Sequence, residues 1–128
     1  MKQIKIMLFT LISSFTLMNT AFAEDFLTED AIKTLFTNHS FDVINEVKGK
    51  DYKIFDNDKG QHFVHNPRKK KTFKVRKWWT DGATHCTSHP KRGDNCKKMK
   101  EMGDGVYHGI SDGKHTHTLS NFRPGRDF

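Results

Sequence analysis

The stretch Val106–Phe122, VYHGISDGKHTHTLSNF, decides the fold class of this chain. Its centre is Asp112-Gly113, a residue pair that favours a two-residue hairpin turn because both positions tolerate positive φ. Short runs of strand-forming residues lie on either side of this turn. We therefore predict an antiparallel hairpin with strands over Val106–Ile110 and Lys114–Phe122.

The same organisation repeats upstream of the hairpin. Short strand-like segments alternate with turns such as Asp56–Gly60 and Thr80–Gly82. The only helical pattern begins at the capping residue Thr28 and ends near Asn38. About seven short strands without crossover helices predict a mainly β fold. We expect a small antiparallel meander, closed as a barrel or curled as a half-barrel, with one short N-terminal helix.

The N-terminus carries the three features of a secretory signal peptide. Met1–Lys5 is basic, Ile6–Met18 is apolar and uncharged, and an Ala-Phe-Ala sequence ends at Ala23. The apolar run is shorter than the roughly 20 residues that span a bilayer. We therefore expect residues 1–23 to be removed on export, leaving a periplasmic or secreted protein without a transmembrane segment.

Residues 24–128 are expected to form a single β-rich domain, with 124–128 as a frayed tail. The chain contains two cysteines, Cys86 and Cys96. An even number of cysteines in an exported chain favours one disulfide between them. A metal pair formed with neighbouring histidines is the alternative, although zinc knuckles space their cysteines more closely.

Positive charge is concentrated in one segment of the chain. Residues 68–100 carry 12 basic and 2 acidic residues, whereas residues 24–67 carry 5 and 9. Basic side chains beside aromatic ones suit anionic envelope polymers or lipid headgroups, and an exported protein meets these before nucleic acid. The alternative is a solvated loop with lysines that protect strand edges. The candidate polyanion-binding residues are Arg68, Lys69, Lys70, Lys71, Lys74, Arg76, Lys77, Lys91, Arg92, Lys97, Lys98 and Lys100.

Three histidines of the last hairpin are predicted to share one face. With Asp112-Gly113 as the loop, His108 lies opposite His117, and His115 is two residues from His117 on the same strand. Three imidazoles at cross-strand spacing form a donor set suited to zinc or another divalent transition metal. The alternative is ordinary histidines in a core or wet pocket, and a one-residue slip in register would separate them.

Two further residues are candidates to complete this site. In the continued meander, Glu101 or Met99 lies opposite His108, and His85 lies opposite Lys97 on the same face. Glu101 or His85 is therefore a candidate fourth ligand, or an acceptor behind the first three ligands.

Short motifs with a shared pattern run along nearly the whole chain after residue 23. They are Leu27-Thr28-x3-Ile32-x2-Leu35, Tyr52-x-Ile54-Phe55-x4-Gly60, Trp78-Trp79-x2-Gly82-x3-Cys86, Cys96, Asp104-Gly105-x-Tyr107 and Phe122-x-Pro124-Gly125. This pattern resembles a family of small exported proteobacterial proteins, the domain-of-unknown-function family numbered about 995. The resemblance implies a periplasmic β-rich protein with paired cysteines, and it assigns no catalytic residues.

The sequence contains no hydrolase, metalloprotease or phosphate-loop motif. We therefore predict a binding protein and not an enzyme, which takes a divalent metal or a small ligand on the His-rich sheet face. Binding of anionic polymers or lipids through residues 68–100 is the first alternative. A small hydrolase that uses His85, Glu101 and His117 is the second.

Overall fold

The computed structural model describes residues 26–72 and 76–128. The predicted signal peptide therefore lies outside the described residues, as does Lys74. The described chain forms one helix and nine strands. These are α1 (Glu29–Phe36), β1 (His39–Asn45), β2 (Lys50–Asp56), β3 (Gln61–Asn66), β4 (Lys71–Thr72), β5 (Arg76–Thr80), β6 (His85–His89), β7 (Gly93–Gly103), β8 (Val106–Ser111) and β9 (Lys114–Pro124).

Eight of these strands close into an antiparallel barrel, which confirms the predicted fold class. The order around the barrel is β1-β2-β3-β5-β6-β7-β8-β9, and β9 returns to pair with β1. Neighbours in the chain are neighbours in space because short turns join antiparallel strands. The short strand β4 pairs with the C-terminal part of β3, on the same edge of β3 that pairs with β5. Closure leaves the eight strands without a free edge.

Helix α1 packs against β1 and β5 at one end of the barrel. Thr28 caps it as predicted, because the Thr28 hydroxyl accepts a hydrogen bond from the Ala31 amide at 3.2 Å. The buried side chains of Ile32 and Phe36 insert into the core beneath it. No helix in residues 26–72 or 76–128 has the length and apolar character needed to cross a membrane.

The disulfide predicted between Cys86 and Cys96 is present. The two residues face each other directly in the ladder between β6 and β7. The bond therefore joins two strands that are already neighbours in the barrel. A loop of about ten residues closed in this way stabilises the fold by about 2–3 kcal/mol in the chain-entropy model.

The C-terminal residues 124–128, predicted as a frayed tail, make contacts with the barrel. The Ser40 hydroxyl donates a hydrogen bond to the Gly125 carbonyl at 2.6 Å. The Phe128 ring stacks on His65, with 5.0 Å between the ring centroids. Both contacts depend on strands far away in sequence, and the local composition gave no sign of them.

Candidate functional site in the barrel interior

The barrel encloses a cavity of about 250 Å³. It extends to the end opposite α1, because its lining includes Lys48, Arg92 and Gly93 from the loops there. The apolar part of the lining consists of Phe41, Val43, Ile54, Val64, Met99 and Leu119. The polar and basic part consists of Asn45, Lys48, Tyr52, His62, Arg76, His85, Thr87, His89, Arg92, Asn95, Lys97 and His117. No carboxylate is among the described residues that line it.

Lys97 is a buried cation without a counter-ion. It lies on β7 opposite His85 of β6, as predicted, and faces the cavity with only 9% of its surface exposed. No carboxylate in the described part of the chain pairs with its ammonium group. Burial lowers the pKa of Lys97 to about 8. An unpaired buried ammonium costs several kcal/mol, so an anion that enters the cavity would relieve this cost.

Gly109 makes room for the Lys97 side chain. It lies on β8 opposite both Met99 of β7 and His117 of β9. A Cβ at residue 109 would lie 3.1 Å from Lys97 Cδ and 3.4 Å from His117 Cβ. A larger residue at this position would therefore press on the Lys97 side chain and fill the remaining space beside His117. The glycine gives the Lys97 side chain its room through close packing, and not through its backbone angles.

His117 lies beside the same glycine as Lys97. Burial, followed by the charge of Lys97, lowers the pKa of His117 to about 4. Its Nδ1 lies 2.9 Å from the hydroxyl of Thr116. His117 is therefore neutral at pH 7 and offers the cavity a hydrogen-bonding group without a second charge.

Further basic groups surround the outer part of the cavity. Burial and the charge of Arg92 lower the pKa of Arg76. The pKa of His89 is also lowered, first by burial and then by the charges of Arg76 and Arg92. The Arg92 guanidinium lies 3.4 Å from His89 Nε2. These side chains give this part of the cavity a positive potential that favours anions.

The buried Asp56 carboxylate is hydrogen-bonded to two of the histidines that line the cavity. Its Oδ1 accepts a hydrogen bond from His62 Nδ1 at 2.5 Å, and its Oδ2 accepts one from His85 Nε2 at 2.8 Å. Burial alone would raise the pKa of Asp56, but His62 and His85 outweigh this effect, so the pKa is lowered. Burial lowers the pKa of His85, whose ring lies 4.0 Å from Phe36 and 5.4 Å from Trp78 between centroids. The network fixes both imidazoles in position.

The three hairpin histidines do not share a face, so that prediction is wrong. Ile110 pairs with His115 as expected, but the next pair is Gly109 with His117 because a bulge leaves Thr116 unmatched. The extra residue turns His117 into the barrel and leaves His108 and His115 outside it. The two outer rings stack with 3.6 Å between centroids.

The other residues predicted for a metal site or a hydrolase site do not lie close to one another either. Lys100 lies opposite His108, while the exposed Glu101 pairs with Tyr107 and does not line the cavity. Within residues 26–72 and 76–128, no group of three or more His, Cys, Asp or Glu side chains is placed to hold a metal ion. The set of His85, Glu101 and His117 is therefore not brought together around one point.

The predicted basic segment is divided among three places. The residues at the end opposite α1, in loops or at the start of β4, are Arg68, Lys69, Lys70, Lys71, Lys91 and Arg92, of which Arg92 also lines the cavity. Arg76 and Lys97 line the cavity from the strands, and Lys77, Lys98 and Lys100 are on the outer face. Trp78 is buried and Trp79 is half-buried, as adjacent residues on a strand should be. The segment does not form one continuous surface.

Two residues that shape the cavity are not identified by the sequence patterns. Asp56 belongs to a predicted turn, although its side chain is fully buried and paired. Gly109 lies in a predicted strand, where no local pattern marks it as a packing site. Lys97 is predicted as a polyanion-binding residue and as the partner of His85 on the His-rich face, and its alternation with the apolar Met99 indicates that both residues face inward.

Comparison with known proteins found no matching family model, no similar curated protein and no similar solved structure.

Proposed function

We propose that this protein binds a small organic anion with an apolar body inside its barrel. The observation that carries the proposal is Lys97, a cation that is nine-tenths buried, faces the cavity and has no carboxylate partner in the described chain. Burial removes water from the Lys97 ammonium group, and no carboxylate in the described chain compensates for this cost. A bound carboxylate, sulfonate or phosphate would provide the missing partner.

The charges around the cavity support an anion over a cation. Arg76 and Arg92 line it together with Lys97, and its described lining has no acidic side chain. A cation or a divalent metal would enter a positive potential there, which opposes binding. His117 would reach the ligand as a neutral hydrogen-bonding group beside Lys97.

The apolar lining and the volume define the rest of the ligand. Phe41, Ile54, Met99 and Leu119 are buried side chains that face the cavity and offer no hydrogen bonds. A cavity of about 250 Å³ lies just below the ~300–1,000 Å³ that is usual for small-molecule sites. A medium-chain fatty acid or a compact aromatic carboxylate fits this description.

The role we propose is binding and not catalysis, in an exported protein. Asp56, His62 and His85 are the acid and base groups closest to one another, and their hydrogen bonds are made within the network. A carrier or scavenger of amphipathic anions outside the cytoplasm is consistent with this arrangement.

Calorimetric titration with sodium decanoate and with its neutral analogue decanol tests the proposal. Decanoate should bind at least about tenfold more tightly than decanol, because a charge-assisted hydrogen bond contributes about 1.5–3 kcal/mol. Lys97→Met replaces the side chain with an unbranched one that is shorter by one atom and uncharged, so it should abolish this preference.

Lys98→Met is the matched control, because Lys98 is the next residue on β7 and is exposed on the outer face. It should bind decanoate as the unmodified protein does. Equal affinity for decanoate and decanol, or the same loss in both variants, would contradict the proposal.

A further inference from the structure

Three loops at the end of the barrel opposite α1 carry basic side chains. In an antiparallel barrel every second connection emerges at the same end. The β1–β2, β3–β4 and β6–β7 connections therefore lie together, although they are far apart in sequence. We call their basic residues the rim cluster: Lys48, Lys69, Lys70, Lys71, Lys91 and Arg92.

The rim cluster is exposed and its charges are unneutralised. None of its members forms an ion pair with another described residue, whereas the neighbouring Arg68 pairs with Asp51. Two of the loops act on one residue: after burial and the charge of Arg76, the charges of Arg92, Lys48 and Lys91 lower the pKa of His89. The β1–β2 and β6–β7 loops are therefore close enough to share one positive field.

Side-chain acceptors hold each of the three loops in a defined shape. Asn45 Oδ1 accepts from the amides of Val47 and Lys48, both at 3.0 Å. Asn66 Oδ1 and His89 Nδ1 do the same for the β3–β4 and β6–β7 loops. The basic side chains therefore project from fixed backbones.

An apolar residue stands at the tip of the first loop. Val47 is 75% exposed and lies next to Lys48. An exposed valine beside free lysines is an arrangement that suits the interface of an anionic bilayer, where apolar groups enter between headgroups and cations contact phosphates. A soluble polyanion would use the lysines and leave Val47 in water.

The opposite end of the barrel carries acidic side chains. Glu29 and Asp30 begin α1, and Asp58, Asp81 and Asp104 lie in exposed or half-buried loops near it. Acidic residues also occur at the rim end, with Glu46 next to Val47 and Asp112 in the β8–β9 turn, and Lys33 and Lys59 lie at the α1 end. Basic residues still outnumber acidic ones in the loops of the rim end, so the barrel has a net charge difference along its axis. A negative surface attracts the rim cluster and repels the α1 end, which orients the cavity mouth toward that surface.

We propose that the rim cluster docks on an anionic lipid bilayer with Val47 inserted among the headgroups, so that the cavity mouth faces the membrane. Docking itself depends only on the rim. The suggestion that an amphipathic anion passes between bilayer and cavity rests on the proposed function.

Sedimentation with phosphatidylglycerol–phosphatidylcholine vesicles tests docking, using protein purified after export and processing by the cell. The protein should sediment with these vesicles at low salt and not with pure phosphatidylcholine vesicles. Lys69→Glu/Lys91→Glu should weaken binding by at least about tenfold, since each cation near the surface contributes about fivefold. Lys59→Glu/Lys98→Glu makes the same change in net charge away from the rim, and should bind nearly as the unmodified protein does.

A second pair of variants tests the orientation. Val47→Glu should weaken vesicle binding by about tenfold or more, whereas Met102→Glu should not. Met102 is the matched control because it is 47% exposed and lies near the α1 end. Equal effects at the two ends would overturn the proposal. Binding to heparin with no sedimentation would do so as well, because it would assign the rim to a soluble polyanion.

These experiments test membrane docking and ligand binding independently of each other. Val47→Glu should retain decanoate affinity in solution, and Lys97→Met should retain vesicle binding. If Lys97→Met fails to alter decanoate binding while Val47→Glu still abolishes sedimentation, the cavity proposal is wrong and the docking surface stands.

Discussion

Lys97 and His117 meet across Gly109 on the inner face of the barrel. A Cβ on residue 109 would lie 3.1 Å from Lys97 Cδ and 3.4 Å from His117 Cβ, so both side chains pass close to this glycine. Their pKa values are shifted to about 8 and about 4, respectively. At pH 7 the lysine is charged and the histidine is neutral, and the Lys97 ammonium group has no carboxylate partner among the described residues.

Replacing Lys97 with methionine should stabilise the protein while it removes anion binding. A pKa shift from 10.5 to about 8 corresponds to a cost of about 3 kcal/mol for the charged form. Between these pH values the unfolded chain binds more protons, so the free energy of unfolding of the unmodified protein should rise with pH there. Lys97→Met should lack this rise and be more stable below pH 8. Urea denaturation across this range measures both effects, and a less stable variant would show that Lys97 is already satisfied.

Acid should destabilise the protein through His117. Its pKa falls from 6.5 in the unfolded chain to about 4 in the fold, chiefly because of burial and then because of Lys97. As the pH decreases from 6.5 to 4, the unfolded chain takes up the proton first, so the free energy of unfolding should decrease. His117→Asn should flatten this dependence in urea denaturation at several pH values. His115→Asn, on the outer face, is the control and should leave the slope as it is.

Gly109→Ala should weaken ligand binding and leave the fold intact. The new methyl group would press on Lys97 Cδ and displace the ammonium group from its place in the cavity. Because the pressure falls on the flexible part of a side chain, the cost in stability should stay within about 1 kcal/mol. Titration with decanoate and thermal unfolding by circular dichroism separate the two effects. An unchanged affinity would mean that the ligand does not contact Lys97.

Removing the Asp56 carboxylate should destabilise the barrel strongly. Asp56→Ala leaves His62 and His85 without their acceptor in a buried position. Breaking a buried charged network from one side costs about 3–5 kcal/mol. Asp58→Ala, in the exposed turn that follows β2, should change stability by less than about 0.5 kcal/mol. Chemical denaturation of both variants gives the comparison, and similar values for the two would rule out a structural role for the network.

Reduction of the disulfide should have a smaller effect than loss of Asp56. Cys86 and Cys96 close a loop of ten residues between paired strands, which corresponds to about 2–3 kcal/mol. The barrel ladder should hold β6 and β7 together without the bond, so Cys86→Ala/Cys96→Ala should fold. Its midpoint in urea should equal that of the reduced protein, and an unfolded double variant would show that closure depends on the bond.

Local patterns predicted the elements because their determinants lie within a few residues. Thr28 followed by acidic residues caps α1, and Asp112-Gly113 forms the turn that joins β8 to β9. Direct pairing of Cys86 with Cys96 follows from one short hairpin. The choice between barrel and half-barrel depended instead on pairing of β1 with β9, which are some 70 residues apart, and no local signal specifies it.

The sequence predicted the site only in part, because a bulge at Thr116 changes which residues of β9 face the cavity. Thr116 adds a bulge to β9, and this puts His117 on the opposite face from His108 and His115. The alternation of Lys97 with Met99 indicates an inward lysine, whereas its position in a basic run favours exposure to solvent. Closure of the barrel decides between the two, because it buries this face of β7.

The sequence by itself determined the strands, their turns, the helix cap and the cysteine pair, because backbone preferences and short loops act between neighbours. Tertiary structure alone decided which residues meet inside the barrel. Lys97, Gly109, His117 and Asp56 come together because closure and one bulge set the faces of distant strands. The unpaired charge of Lys97 exists only once the barrel has closed around it, since burial creates both its cost and its capacity to bind an anion.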